Sequence, residues 1–376
     1  MTSIELPYLL EGKIEREWLE RKLYIAFMAA RKRKLATKDE YSFEMNWREN
    51  ISLLADDILR CRYKPSRGIA FIVKKPVIRE IFAAPFRDRV VHHFLYNMVA
   101  DWWDKRLIYN SFSCRKGKGV LFGVKRLDKD IKRATQNYTV PGYVIKMDIQ
   151  GYFMSLSRDK LFERVMWGLK RQYKDKGPIF QLLKYLWYEI IFDDPVRGVK
   201  LRPPISAWNE LPENKSLLHQ PDGRGIVIGN LSSQLLSNIY LDQLDRFITM
   251  RLGYKYYGRY VDDFYIVVPE GKYAQAKKDV KVIEDYLLGI GLVLHPNKRY
   301  IQNVDRGVAF LGMVVYPYRI VPGRRFKESF YQAAYEYEAG LRKDEAIISY
   351  LGYCKHLKGR KLCQKVFNSV GWEYTI

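Results

Sequence analysis

The sequence predicts an α+β protein, a mixed α/β chain in which a sheet is backed by helices, and three stretches carry that expectation. "PGYVIKMDIQGYFMSLSRDKLFERV" gives a strand over Tyr143–Met147 that ends in Asp148, then a helix with its N-cap at Ser157. "GIVIGNLSSQLLSNIYLDQLDRFITMRLG" gives a short strand, a glycine turn and a long helix closed near Gly253, with Leu235, Ile239, Leu241, Leu244 and Ile248 at roughly helical spacing. "GRYVDDFYIVV", Gly258 to Val268, gives a hairpin of β-branched and aromatic residues interrupted by two adjacent carboxylates.

The flanking elements extend this order. Upstream, "EREWLERKLYIAFMAARKRK" reads as a basic amphipathic helix and "GIAFIVKKPVIREIFAA" as a basic, strand-like segment. Between Lys174 and Gly223 the signals "PP", "PE" and "PDG" mark turns, so an insertion is expected over about 174–223. After the hairpin come the helix "AKKDVKVIEDYLLGIG", the segment "LVLHPNKRYIQ" and a strand "GVAFLGMVVYP". From about Pro322 a basic, mostly helical tail looks like a separate subdomain. The order β-α then α-β-β-α-β implies helices packed on one face of a mixed sheet.

Composition narrows the function. The chain has 376 residues, 48% hydrophobic and 15% aromatic, enough for a sizeable core in two or three subdomains. Its 65 Lys and Arg against 42 Asp and Glu leave a formal charge of +23, which attracts polyanions, nucleic acid first. The cysteines Cys61, Cys114, Cys354 and Cys363 form no CxxC pair, so neither a disulfide framework nor a zinc site is expected. No uncharged apolar run approaches the ~18 residues of a membrane span, and the first residues lack a signal-peptide core. A cytoplasmic protein bound to nucleic acid, with no membrane partner, is the expectation.

Two adjacent Asp residues are most often a turn and nothing more. In Asp262 and Asp263 the flanking strands change the odds. Neighbours on a strand point to opposite faces, so both serve one site only at a hairpin tip. Anions packed this closely raise each other's pKa unless a cation neutralises them, and Mg²⁺ takes oxygen ligands. Asp148 ends its own apolar strand and is the candidate third carboxylate. A pair of ions held by Asp148, Asp262 and Asp263 would activate a hydroxyl and stabilise a leaving oxygen, which is nucleotidyl transfer. Lys74, Lys75 and Arg79 suit a triphosphate clamp, and Lys298 the leaving pyrophosphate; each alone is more often an ordinary surface cation.

These residues resemble a known family. "KMDIQGYF" at Lys146–Phe153, "IGNLSSQ" at Ile228–Gln234, "YVDD" at Tyr260–Asp263, "HPNK" at His295–Lys298 and "FLG" at Phe310–Gly312 follow the order of reverse transcriptase motifs. "REIFAAPFRDRVVHH" and "SFSCRKGKG" resemble the upstream finger motifs of bacterial members. The "IGNLSSQ" motif begins with Ile228 and ends with Gln234, which is similar to the enzymes of diversity-generating retroelements. Group II intron enzymes usually read QGxxxSP there.

The resemblance implies a right-hand polymerase: an N-terminal extension and fingers over 1–141, a palm over 142–317, and a short helical thumb over 318–376, with no room for a maturase or endonuclease module. It implies that Asp148, Asp262 and Asp263, with the Ile149 carbonyl, hold two Mg²⁺ ions, Mn²⁺ being an alternative. Arg79, with Lys74 or Lys75, would meet the incoming dNTP, and Phe153 would gate the ribose 2′-hydroxyl. Ile228 and Gln234 would line the nucleotide pocket, and Phe310, Leu311 and Gly312 would form the primer grip. Implied partners are a template RNA, the cDNA/RNA hybrid and a small basic accessory variability protein, in a bacterial or phage-infected host. The activity implied is synthesis of cDNA from a template-repeat RNA, error-prone opposite adenine. Rival readings are a retron, group II-like or phage-defence reverse transcriptase, and, from another class, an inactive RNA-binding scaffold.

Overall fold

The computed structural model describes residues 10–32, 37–74 and 77–373. In chain order its elements begin with helices α1 (Arg16–Arg31), α2 (Lys38–Met45) and α3 (Trp47–Leu59), strands β1 (Ile69–Val73) and β2 (Arg79–Ala83), and helices α4 (Phe86–Asp104) and α5 (Val120–Ala134). Then follow β3 (Gly142–Asp148), α6 (Tyr152–Ser155), α7 (Arg158–Gln172), α8 (Pro178–Phe192), β4 (Lys200–Leu201) and α9 (Leu231–Arg246). The remainder is β5 (Tyr257–Tyr260), β6 (Asp263–Pro269), α10 (Tyr273–Gly289), β7 (Tyr300–Asn303), β8 (Val308–Phe310), β9 (Met313–Tyr316), β10 (Arg319–Pro322), α11 (Arg324–Glu338), α12 (Glu345–Lys355) and α13 (Arg360–Asn368). The mixed α/β class is the observed one. Among the described residues no helix is long and apolar enough to cross a membrane.

These elements form two compact units interleaved along the chain. The first takes residues 1–108, 150–244 and 287–293. Its helices bury apolar stripes, such as Leu19, Leu23, Ala26 and Phe27 of α1 and Leu182, Leu183, Tyr185 and Leu186 of α8. Its small sheet has the order β2-β1-β4, with β2 antiparallel and β4 parallel to β1. Buried Glu80 of β2 accepts hydrogen bonds from Trp208 Nε1 (3.0 Å), Ser216 Oγ (3.0 Å) and the Leu217 N–H (2.7 Å). One carboxylate thus tethers a long irregular segment to the sheet.

The second unit takes residues 109–149, 245–286 and 294–376. Its main sheet, β5-β6-β3-β7, is antiparallel at every pairing. Leu127 and Ile131 of α5 pack with Val144, Tyr265 and Val267 in its core. A hairpin sheet, β10-β9-β8, joins the same core through Phe310, Met313 and Val315. The helices α11, α12 and α13 close around a small cluster of their own, including Phe330, Ala333, Cys363 and Val366.

Three expectations need correction. Residues 178–192 of the expected insertion are a buried helix, because its apolar side chains outweigh the turn signals around it; from Asp193 the chain is irregular apart from the short β4 and short helical turns. "GIVIG" is no strand: the Ile228 carbonyl accepts one hydrogen bond, from the Phe82 N–H (3.0 Å), before Gly229 turns the chain into α9. At φ +137° and with the Phe82 oxygen 2.6 Å from where a Cβ would stand, only glycine fits there. "GVAFLGMVVYP" is two strands, because Leu311 and Gly312, both at positive φ, turn it back on itself.

Candidate active site

β3 and β6 pair so that Asp148 stands opposite Asp263 at the end of both strands. β5 and β6 form a hairpin in which Tyr260 pairs with Asp263, leaving Val261 and Asp262 as a two-residue tip. The sequence thus places three carboxylates at one sheet end: two through cross-strand register, the third through the turn.

The tip is strained. Val261 has φ +56°, a left-handed conformation that a β-branched side chain strongly disfavours. Its surroundings hold it there. The Val261 N–H donates to Ser113 Oγ (3.1 Å) and its carbonyl accepts from Arg259 Nη1 (2.9 Å). Arg259 is itself fixed by a bidentate pair with Asp245, Nε to Oδ1 and Nη2 to Oδ2, both at 2.7 Å. Both side chains are fully buried, and Tyr257 adds a hydroxyl donor to Asp245 Oδ1 (2.6 Å). From the opposite strand the Ile149 N–H donates to the Asp262 carbonyl (3.2 Å), and the His295 N–H to the Asp148 carbonyl (2.8 Å).

Charge is unbalanced at this sheet end. Burial, then repulsion from Asp148 and Asp263, pushes the Asp262 carboxyl up to about 7, against the pull of Lys298. Burial pushes Asp263 up to about 6, although the Lys146 ammonium opposes it. Lys146 Nζ lies 2.9 Å from Asp263 Oδ2, and Lys298 Nζ lies 3.0 Å from Asp148 Oδ1. Asp263 Oδ1 is buried with no hydrogen-bond partner.

Among the described residues no group of three or more His, Cys, Asp or Glu stands ready-made as a metal cage. The carboxylates nevertheless fit a hard divalent cation. The donors are all oxygen, one buried oxygen is orphaned, and two of the acids are raised above their ordinary range by burial first and by their neighbouring carboxylates second.

The other predicted residues lie as follows. Phe153 and Ile228 both pack, half-buried, against one apolar cluster of the first unit that includes Ala70, Phe82, Met154 and Trp208. Arg79 is exposed at the start of β2, and Gln234 is exposed near the start of α9. Lys74 is already engaged, its Nζ 2.6 Å from Glu210 Oε1. Lys75 lies outside the described residues. Phe310 is a core residue, its ring 5.2 Å from that of Tyr265 in an edge contact, so only the Leu311–Gly312 turn of the expected grip is presented outward.

Sequence reasoning missed Lys146, Arg259, Asp245 and Ser113. Lys146 had a signal: it precedes Asp148 by two positions on a strand and therefore shares its face. The buried Arg259–Asp245 pair had none, since its partners come from a strand and the end of a helix.

The sheet thus ends in three carboxylates, Asp148 and Asp263 facing each other across β3 and β6 and Asp262 on the braced tip beside them. The family model described as "Reverse transcriptase (RNA-dependent DNA polymerase)" matches residues 72–315, well over half of the chain, and the chain belongs to that family. Members bind RNA templates and use divalent metal ions. Among solved structures, a telomerase from Candida tropicalis in complex with a fragment of telomeric RNA is similar at 14% identity and a TM-score of 0.45. That match covers 67% of this chain but only 44% of the telomerase chain. The apo telomerase from Candida tropicalis matches at 12% identity and a TM-score of 0.46, covering 85% of this chain and 68% of that one. No curated protein sequence matches the chain.

Proposed function

We propose that this chain is an RNA-directed DNA polymerase that copies a template-repeat RNA into cDNA for targeted gene diversification. The observation that carries the polymerase reading is the register of β3 and β6, which sets Asp148 opposite Asp263 with Asp262 on the adjoining tip. Asp148, Asp262 and Asp263, with the Ile149 carbonyl, would hold two Mg²⁺ ions. When bound, the metal lowers the pKa of the primer hydroxyl and offsets charge on the leaving pyrophosphate. Lys146, paired with Asp263, and Lys298, paired with Asp148, hold these carboxylates in place at the sheet end. Arg79 meets the triphosphate from the fingers, and Lys74 joins it after leaving Glu210. The fingers, palm and thumb are assigned to 1–141, 142–317 and 318–376, and the setting is the bacterial cytoplasm.

The diversifying subclass rests on Ile228. Its side chain packs with Phe153 against an apolar cluster and has no group to hydrogen-bond a nucleotide. An amide there would hold the base pair in one pose, and each hydrogen bond forgone removes about 1 kcal/mol of discrimination. A small basic accessory protein completes the assembly, meeting this basic chain through polar and apolar contacts or through the RNA.

The test is primer extension on an RNA template with sequenced products, with and without the accessory protein. Wild-type enzyme extends the primer and misincorporates opposite template adenine. Asp262→Ala abolishes extension while RNA binding persists, since affinity comes mainly from phosphate contacts. Ile228→Gln lowers errors opposite adenine severalfold. Extension surviving Asp262→Ala contradicts the catalytic assignment; an unchanged spectrum in Ile228→Gln contradicts the subclass.

A further inference from the structure

The carboxylate site leaves unused a second chemical feature of the same unit. Helix α5 is strongly amphipathic. One side buries Val124, Leu127 and Ile131, and the opposite side carries Lys125, Lys129 and Arg133, all exposed. These three stand at i, i+4 and i+8, so successive cations are about 6 Å apart along one ridge. None of them forms an ion pair with a described residue. The cations of α5 that do have partners lie beside the ridge: Lys132 pairs with Asp128 at 2.7 Å and Arg126 with Asp130 at 3.2 Å.

At the N-terminal end of the ridge stands an exposed aromatic ring. Tyr109 is 62% exposed. Lys118 holds it in place twice, through a 2.6 Å hydrogen bond from Nζ to the Tyr109 carbonyl and with the ammonium 4.6 Å from the ring centroid. The Arg126 guanidinium lies 5.5 Å from the same ring, and Phe122 meets it edge-on at 5.8 Å. Exposed Lys116 belongs to the loop leading from this ring to α5.

We infer that α5 and Tyr109 form a docking surface for single-stranded RNA, with Lys125, Lys129 and Arg133 taking successive phosphates and the Tyr109 ring stacking a base. An unpaired cation row beside a fixed, open aromatic ring is the pairing that single-strand recognition uses. A membrane would ask for several inserting apolar side chains, and the ridge offers none. An acidic peptide would use the cations but not the ring. Only the choice of RNA rests on the polymerase reading, and the surface would retain template lying outside the stretch being copied.

The experiment measures binding of a labelled oligouridine RNA to the full chain over a series of KCl concentrations. Lys125→Gln/Lys129→Gln/Arg133→Gln removes three phosphate partners, so the slope of log K against log salt becomes shallower by about 2. Lys272→Gln/Lys277→Gln/Lys278→Gln makes the same charge change elsewhere on the unit and keeps the wild-type slope. Tyr109→Ala weakens binding by about fivefold to a hundredfold, and Tyr109→Phe restores it. The inference is overturned if the ridge variant keeps the wild-type slope, if both triple variants lose slope equally, or if the ridge variant loses affinity only for phosphatidylserine vesicles. Primer extension is a separate readout: a chain that fails to extend primers but loses slope in the ridge variant keeps the surface and discards the polymerase.

Discussion

Asp262 shows at the level of one residue what the site costs the fold. Its carboxyl titrates near 7 in the folded chain against an ordinary 3.8. Between these values the folded state binds a proton that the unfolded state does not, so without metal stability falls as pH rises through that window. The penalty is complete above about pH 7 and absent below about pH 4. In EDTA, Asp262→Asn is therefore expected to be more stable than wild type at pH 8, on the order of 2 kcal/mol in chemical denaturation, with the difference closing by pH 4. A difference that is the same at both pH values would show that Asp262 carries no electrostatic strain. This residue and its neighbour were legible in the sequence, because two acids inside a buried strand pattern conflict with every ordinary use of that pattern. Lys146 was legible in principle through strand alternation. The engagement of Lys74 by Glu210 was not, since 136 residues separate them.

The element that matters most is the β5–β6 hairpin. Its register sets Asp263 opposite Asp148, and its tip holds Val261 in a conformation the residue resists. Arg259 grips the tip through the Val261 carbonyl and Ser113 through the Val261 N–H, while Asp245 fixes Arg259 from behind, fully out of water. Arg259→Lys supplies one point charge where a planar fork made two parallel bonds, leaving part of a buried carboxylate unpaired. The expected cost is about 3–5 kcal/mol in denaturant unfolding, with primer extension falling further than stability alone explains. An Arg259→Lys enzyme as stable and active as wild type would remove the brace from the account. The hairpin itself could be read from alternation and from its charge break. The Ile226–Gly229 stretch and the "FLG" segment misled, because short apolar runs look alike whether they pair along their length, as strands do, or make one bond and turn. Tertiary partners decide between these outcomes, and for Ile228 the partner is the distant Phe82.

At the scale of the whole molecule, a charge of +23 set the expectation of a polyanion partner, and the family match agrees with it. The order of strands and helices gave the mixed α/β class because periodicity is local. The interleaving of two units was not legible. It depends on contacts such as Glu80 with Trp208, Ser216 and Leu217, which draw an irregular segment onto a sheet more than a hundred residues upstream. Turn residues announced where that segment bends but not what it packs against. The same limit hid the buried helix Pro178–Phe192, whose apolar face has meaning only beside its neighbours.

A cation is what the crowded acids at the end of β3 and β6 lack. Mn²⁺ binding followed by electron paramagnetic resonance, in wild type and in Asp148→Asn, tests this most directly. The expected result is bound Mn²⁺ in the wild-type chain, displaced by excess Mg²⁺, and at least tenfold weaker binding in the variant. Equal Mn²⁺ binding by the two proteins, or none by the wild type, would contradict it.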